Sequence, residues 1–215
     1  MISQNSLSDS PVDILEQCRH LLPAEIDYLQ HPIIQRFGSP EQPIYVDQAQ
    51  IEIEGIEYQN PLILPIVNGQ LKQIQCAVLQ DGQRLQVMPD GLAKGFAYYG
   101  ELRADQPIII TYGLEAFFKV AQTGSAVVLV ILPTLCNVKQ AALKPFDFEQ
   151  IQFAINQLSQ AGYTQLYMPV RPEYIELEAF QSLEKNTAVR LLNQYTESGA
   201  SSFLTEFYQE DDADE

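Results

Sequence analysis

Three apolar runs separated by amphipathic helix patterns constrain the fold of this chain more than any other feature. The runs cover residues 108–110, 126–132 and 163–170, and the first two are built mainly from Ile, Val and Leu. Strands of this composition are buried on both faces, as in parallel sheets covered by helices. Strands that alternate with helices are joined by right-handed crossovers. The pattern therefore predicts a parallel α/β sheet.

The first of these strands leads directly into a turn and a helix. Gly113 ends the strand, and apolar residues follow at i, i+3, i+4 and i+7: Leu114, Phe117, Phe118 and Ala121. This spacing predicts a helix with one apolar face. Ligands of α/β proteins bind beyond the carboxyl ends of the strands, so Tyr112 is the side chain that the pattern directs to the functional edge.

An antiparallel module is predicted before the parallel strands. Ile and Glu alternate over residues 51–57, which indicates one half-exposed strand. Asn68-Gly69 follows the apolar run 61–67 and predicts a hairpin. Further strands complete a predicted β-meander, at 71–79, 84–88 and 95–99.

Pattern and charge divide the chain into four parts. We predict a helical segment (1–43), an antiparallel β-meander (44–105), an α/β domain with a parallel sheet flanked by helices (106–197) and a flexible acidic tail (198–215). The fold class is therefore α+β overall with an α/β core.

Proline and capping signals set the predicted helix boundaries. Pro32 is predicted to interrupt a helix that begins at Pro23. Asp147 is predicted to be the N-cap of the helix before the third buried strand. A short helix is expected at 137–142, and residues 173–197 are expected to be helical, with a break at Asn186-Thr187 as an alternative to one continuous helix.

The net charge of −16 is concentrated towards the two ends of the chain. Residues 1–60 carry −8, residues 173–215 carry −9 and the residues between them carry +1. Phosphate binding requires a concentrated basic surface, so direct nucleic-acid binding is expected to be weak or absent. Neither a membrane span of roughly 20 apolar residues nor a signal-peptide pattern is found, and a cytoplasmic protein is expected.

The succession of patterns over about residues 24–170 has a counterpart in a known family. Residues 61–100 match the region before the catalytic domain, ITYG at 110–113 matches the signature Ile-x-Glu-Gly, and Asn-Val at 137–138 matches an Asn-Leu near the second strand. In these features the chain resembles the phage and plasmid primase-like proteins that carry a Toprim domain. The resemblance implies a Toprim-like sheet and a link to DNA replication or mobile elements.

The acidic residues of the family signature are missing from this chain. Tyr112, before Gly113, stands where the family has a glutamate that acts as general acid/base or contacts a metal. Met168 and Val170 stand where an Asp-x-Asp would hold Mg²⁺. A phenol, with a reference pKa of about 10, is a poor base and a poor ligand for a hard cation. The resemblance therefore implies a degenerate site with no catalysis, no metal and no cofactor.

Other side chains near this site leave alternatives open. Glu115, Glu173 and Glu176 either begin solvated helices or reassemble an acidic metal site. Asn137 and Arg171 are further candidates for lining the crevice.

The aromatic residues also have two interpretations each. Tyr112 either fills the emptied pocket or stacks on a base or a peptide. Lys94, Tyr98 and Tyr99 either pack on the sheet or contact nucleic acid.

Three functions are compatible with these patterns. The leading hypothesis is a non-catalytic Toprim- or primase-like protein that binds a protein partner, such as a nucleic-acid-processing protein. The first alternative is an acidic inhibitor that occupies a basic nucleic-acid-binding surface of another protein, with the tail EDDADE contributing charge. The second alternative is an enzyme with a rearranged acidic site. No pattern predicts the oligomeric state.

Overall fold

The architecture is taken from a computed structural model. It describes residues 29–40, 51–53, 56–58, 61–80, 84–88, 91–133 and 143–193. The helix predicted at 137–142, the chain before residue 29 and the acidic tail lie outside the described residues.

The elements are numbered in chain order. The helices are α1 (Pro32–Phe37), α2 (Leu114–Ala121), α3 (Pro145–Gln160), α4 (Pro172–Ile175) and α5 (Glu178–Asn186). The strands are β1 (Ile51–Ile53), β2 (Ile56–Tyr58), β3 (Pro61–Val67), β4 (Gln73–Gln80), β5 (Arg84–Met88), β6 (Phe96–Tyr99), β7 (Ile108–Thr111), β8 (Val127–Val130), β9 (Leu166–Val170) and β10 (Val189–Asn193). Of the described helices, none combines the length and the apolar character needed to cross a membrane.

Eight strands form one mixed sheet in the order β10-β9-β7-β8-β6-β3-β4-β5. The first four are parallel, which confirms the predicted parallel core, and the rest are joined by antiparallel pairs. β6 also pairs antiparallel with β8, with Tyr98 opposite Val128, so the two halves form a continuous sheet. β1 and β2 form a separate antiparallel hairpin. The protein is a mixed α/β structure.

Each face of the large sheet carries a hydrophobic cluster. On the first face, α1 and α2 pack over the sheet, and Phe118 belongs to the same cluster as Ile109. On the second face, α3 and α5 pack over Ile108 and Ile110, with Phe180 in the same cluster. The first parallel strand is therefore covered on both sides, which is why it begins with three consecutive isoleucines.

Two predictions about the strands before residue 100 are wrong. The single strand predicted at 51–57 is the hairpin of β1 and β2. The meander stops at β5, because β6 returns to the other side of β3, where Val67 pairs with Phe96. Gly95 permits this approach, since a Cβ there would collide with the carbonyl of Val67. Val67 and Phe96 are far apart in the sequence, so the local alternation of apolar and polar residues does not predict their pairing.

The hairpin predicted at Asn68-Gly69 is confirmed, with a longer turn than two residues. The Asn68 carbonyl accepts the Leu71 N–H at 2.9 Å, and Leu71 has φ 58°. A turn followed by a left-handed residue is characteristic of three-residue hairpin loops. Gly69 is needed for another reason, because a Cβ there would collide with the backbone carbonyl of Gln157 in α3. The hairpin is therefore docked against α3.

Prolines stand at the start of two helices. Leu29 and Gln30 are helical and His31 is not, which confirms the interruption predicted at Pro32. Pro32 is the first residue of α1, and His31 caps the helix with an Nδ1 acceptor 3.2 Å from a first-turn backbone nitrogen. Pro145 begins α3, so Asp147 is the third helical residue and not the N-cap. Its carboxylate accepts the Lys144 N–H at 2.8 Å. The absent N–H of proline is not needed in the first turn, which is why both helices begin there.

The helix predicted over 173–197 ends at the break considered at Asn186-Thr187, and the prediction is wrong for residues 189–193. α4 and α5 fill the first half, and residues 189–193 form β10, which pairs in parallel with β9. Thr187, in an extended conformation with φ −136°, ends α5. Pairing prevails over helix propensity here because it satisfies backbone groups along the outer side of β9.

Candidate functional site

The carboxyl ends of the four parallel strands meet at one edge of the sheet. β7 lies between β9 and β8. The chain leaves β7 towards the first face through α2, and it leaves β9 towards the second face through α5. A crevice forms where neighbouring strands send their connections to opposite faces. In this sheet the connections diverge between Tyr112, after β7, and Arg171, after β9, and we call this part of the edge the switch crevice.

Pro169 limits the pairing of β7 with β9 at this edge. The Ile108 N–H donates to the Gln165 carbonyl at 2.8 Å. In a parallel pair, the residues that face β7 are therefore Gln165, just before β9, and Tyr167 and Pro169 within it. Proline has no N–H to donate, and the pairing ends with Ile109 opposite Tyr167. A proline is thus accommodated in a strand with neighbours on both sides, next to the switch crevice.

Three of the predicted site positions are buried side chains without a carboxylate. Tyr112 is 7% exposed, and Met168 and Val170 are 0% exposed. All three belong to the hydrophobic cluster of the second face. An apolar environment of this kind penalises an unpaired charge. The structure therefore brings together Tyr112, Met168 and Val170, as part of the core.

Gly113 supplies the turn between β7 and α2 without an unusual backbone conformation. It is the N-cap of α2 with φ −131°, and its carbonyl accepts the Phe117 N–H at 3.0 Å. A Cβ at this position would meet no atom within 4 Å. The geometry of this turn therefore does not require glycine.

Glu115, the acid nearest to Tyr112 in the sequence, forms an exposed ion pair. Its Oε1 accepts a hydrogen bond from Lys119 Nζ at 2.8 Å. This bond lowers the pKa of Glu115, and the charges of Lys119, Arg36 and Arg171 act in the same direction. A general acid at neutral pH needs a raised pKa, so the arrangement suits a permanently ionised carboxylate.

The other acids near the crevice also have partners. Arg171 Nη1 lies 3.9 Å from Glu173 Oε1, and Glu176 Oε2 accepts a bond from Gln181 Nε2 at 3.0 Å. Among the residues that the structure describes, no group of three His, Cys, Asp or Glu side chains could hold a metal ion. Asn137, the remaining predicted crevice residue, lies outside the described residues.

Tyr98 and Tyr99 face opposite sides of the sheet because they are neighbours in β6. Tyr99 belongs to the first-face cluster, whereas Tyr98 is 38% exposed. Lys94 is exposed, and its backbone N–H and carbonyl bond to the side chains of Gln75 and Gln157 at 2.7 and 2.9 Å. Tyr99 would have to leave the core to form a nucleic-acid contact together with Lys94 and Tyr98.

Two cations that act on Glu115, Lys119 and Arg36, were not predicted as site residues. The i,i+4 spacing of Glu115 and Lys119 is a sequence signal for their ion pair. Arg36 has no such signal, because α1 meets α2 only through tertiary packing, in which the rings of Phe37 and Phe118 stack at 5.6 Å.

No family model, curated protein or solved structure matches this chain significantly. The geometry of the switch crevice and the distribution of charge along the chain are accordingly the observations from which a function follows.

Proposed function

We propose that this chain is a non-catalytic relative of the Toprim- and primase-like proteins and acts by binding a protein partner. The observation that carries the proposal is the burial of Tyr112, Met168 and Val170 at the positions of the family's three acids. A parallel sheet in which β7 lies beside β9 is compatible with such a scaffold.

The chemistry of these three side chains argues against metal-dependent phosphoryl transfer. Mg²⁺ prefers oxygen ligands and usually takes one or two carboxylates from the protein. A thioether is a soft ligand, an isopropyl group is no ligand, and a phenol ionises only near pH 10. Without the cation, the charge that develops on a transferring phosphoryl group is not neutralised.

Assays with Mg²⁺ and Mn²⁺ test the non-catalytic part of the proposal. We expect no nucleotidyl transfer and no strand cleavage by the wild type, by Glu115→Gln or by the control Glu149→Gln, which changes an exposed acid on α3. An activity that needs the metal, disappears in Glu115→Gln and survives in Glu149→Gln would overturn the proposal. That result would favour the rearranged acidic site.

The charge distribution favours a second candidate for the kind of partner, a protein with a basic, nucleic-acid-binding surface. Both ends of the chain are strongly acidic, whereas residues 61–172 carry a net charge of only +1. A Lys/Arg-rich peptide is a suitable probe for binding to the full chain and to a variant lacking residues 209–215. We expect weaker binding for the shortened chain and at higher salt, because salt screens exposed charges. Binding that is insensitive to both changes would contradict this candidate.

A further inference from the structure

We infer that Glu184 and Thr187 close the outer edge of β10 against the addition of a strand from a second copy of this chain. β10 is the terminal strand of the large sheet and pairs with β9 alone in the described part of the chain. Edge strands present backbone donors and acceptors to which another chain can pair.

The strand register identifies the β10 groups that face outward. Ile108 bonds to Gln165, so the alternate residues of β9, beginning with Leu166, face β10. Val189 lies opposite Leu166. In a parallel pair with this register, the backbone groups of Val189 and Leu191 point away from β9.

Side chains from α5 and its C-terminal turn accept both of these outward N–H groups. The Leu191 N–H donates to Glu184 Oε1 at 2.9 Å, and the Val189 N–H donates to Thr187 Oγ1 at 3.3 Å. The Thr187 hydroxyl in turn donates to the Leu183 carbonyl at 2.9 Å, which fixes its orientation. An approaching strand would therefore have to displace two hydrogen bonds before it could form its own.

The occupant that this edge excludes is an identical β10. Two copies related by a two-fold axis present the same donors and acceptors to each other, which makes the contact self-complementary. Leu191 and Leu192 are only partly buried, so pairing would also cover apolar surface. The continuous sheet would then extend across the axis.

Three substitutions of Glu184 separate the hydrogen-bond acceptor from the charge. Glu184→Ala removes both, Glu184→Asp keeps the charge but shortens the side chain, and Glu184→Gln keeps an oxygen at the same reach. Sedimentation velocity over a concentration series measures self-association, and amide hydrogen exchange over 189–193 locates it. We expect Ala and Asp to tighten self-association by at least about tenfold over the wild type, while Gln behaves as the wild type. The β10 amides should become more protected as Ala and Asp associate.

Several results would overturn this inference. Ala and Asp variants that sediment like the wild type at every concentration would show that the edge does not recruit a second copy. Association of the Gln variant equal to that of Ala would show that charge, and not the acceptor, closes the edge. Association without protection of residues 189–193 would place the contact elsewhere. Circular dichroism establishes that each variant is folded. If Glu184→Ala does not fold, Glu184→Asp alone provides the test.

Discussion

Val170→Asp introduces a carboxylate where the Toprim resemblance locates the second acid of Asp-x-Asp, and Val170→Asn is its neutral control. Val170 is 0% exposed within the second-face cluster. Burial can raise the pKa of a carboxyl group by up to 3–5 units, and each unit corresponds to about 1.36 kcal/mol. At pH 7 the penalty is limited by the gap between the pH and the unfolded pKa of about 3.9, so we expect Asp to lower the free energy of unfolding by about 4 kcal/mol more than Asn does.

The pH dependence of the difference between Asp and Asn follows from the sign of this shift. The pKa of the introduced acid would be raised in the folded state above its unfolded value of about 3.9. Its penalty is absent below that value, where both states are protonated, and grows as the pH rises towards the folded pKa. Urea unfolding followed by circular dichroism measures the difference in the free energy of unfolding between the two variants. The measurement runs from acidic to neutral pH, with and without Mn²⁺.

Two results would refute the reasoning. Equal stability of the Asp and Asn variants at neutral pH would mean that position 170 does not behave as an apolar interior. Recovery of the stability of Val170→Asp, and not of Val170→Asn, by Mn²⁺ would mean that the switch crevice still gathers ligands for a cation. The absence of acids at positions 112, 168 and 170 would then not prevent metal binding.

Four further predictions concern stability and reactivity. Gln75→Ala deletes the hydrogen bonds of a buried amide to the 91–95 backbone, so urea unfolding should show that the free energy of unfolding falls by about 2–4 kcal/mol. A decrease of less than about 1 kcal/mol would contradict this prediction. Gly69→Ala should lower the melting temperature because it collides with the α3 backbone, whereas Gly113→Ala has room and should not. Burial raises the pKa of the Cys76 thiol from 9.0 to about 12, so mass spectrometry should find it alkylated at pH 8 only after unfolding. Ionisation of the same thiol should also reduce stability as the pH rises from about 9 towards 12.

The parallel core was predictable because its signals are local. Residues 108–110 are uninterrupted isoleucine, and the helix after them has one apolar stripe. β10 was not predictable in the same way, because the sequence VRLLN contains no helix breaker and becomes a strand through its pairing with β9. The return of β6 to β3 instead of β5 likewise depends on a contact between Val67 and Gly95 that is distant in sequence.

The candidate site was predictable in its positions but not in its surroundings. The turn after β7 and the end of β9 located Tyr112 and Val170 from the sequence alone. The shared cluster of these two side chains depends on how α3 and α5 cover the second face. The influence of Arg36 on Glu115 depends on the packing of α1 against α2 and leaves no trace in the spacing of the sequence.

The same positions cannot serve both a metal site and a core. Carboxylates at the ends of β7 and β9 would repel one another and would need a bound cation, whereas fully burying Val or Met contributes about 1.5–3 kcal/mol each. Met168 and Val170 are at 0% exposure, so these two side chains contribute to folding. Under the proposed function, binding falls to the surfaces, and the charges of −8 and −9 towards the two ends of the chain would complement a basic partner.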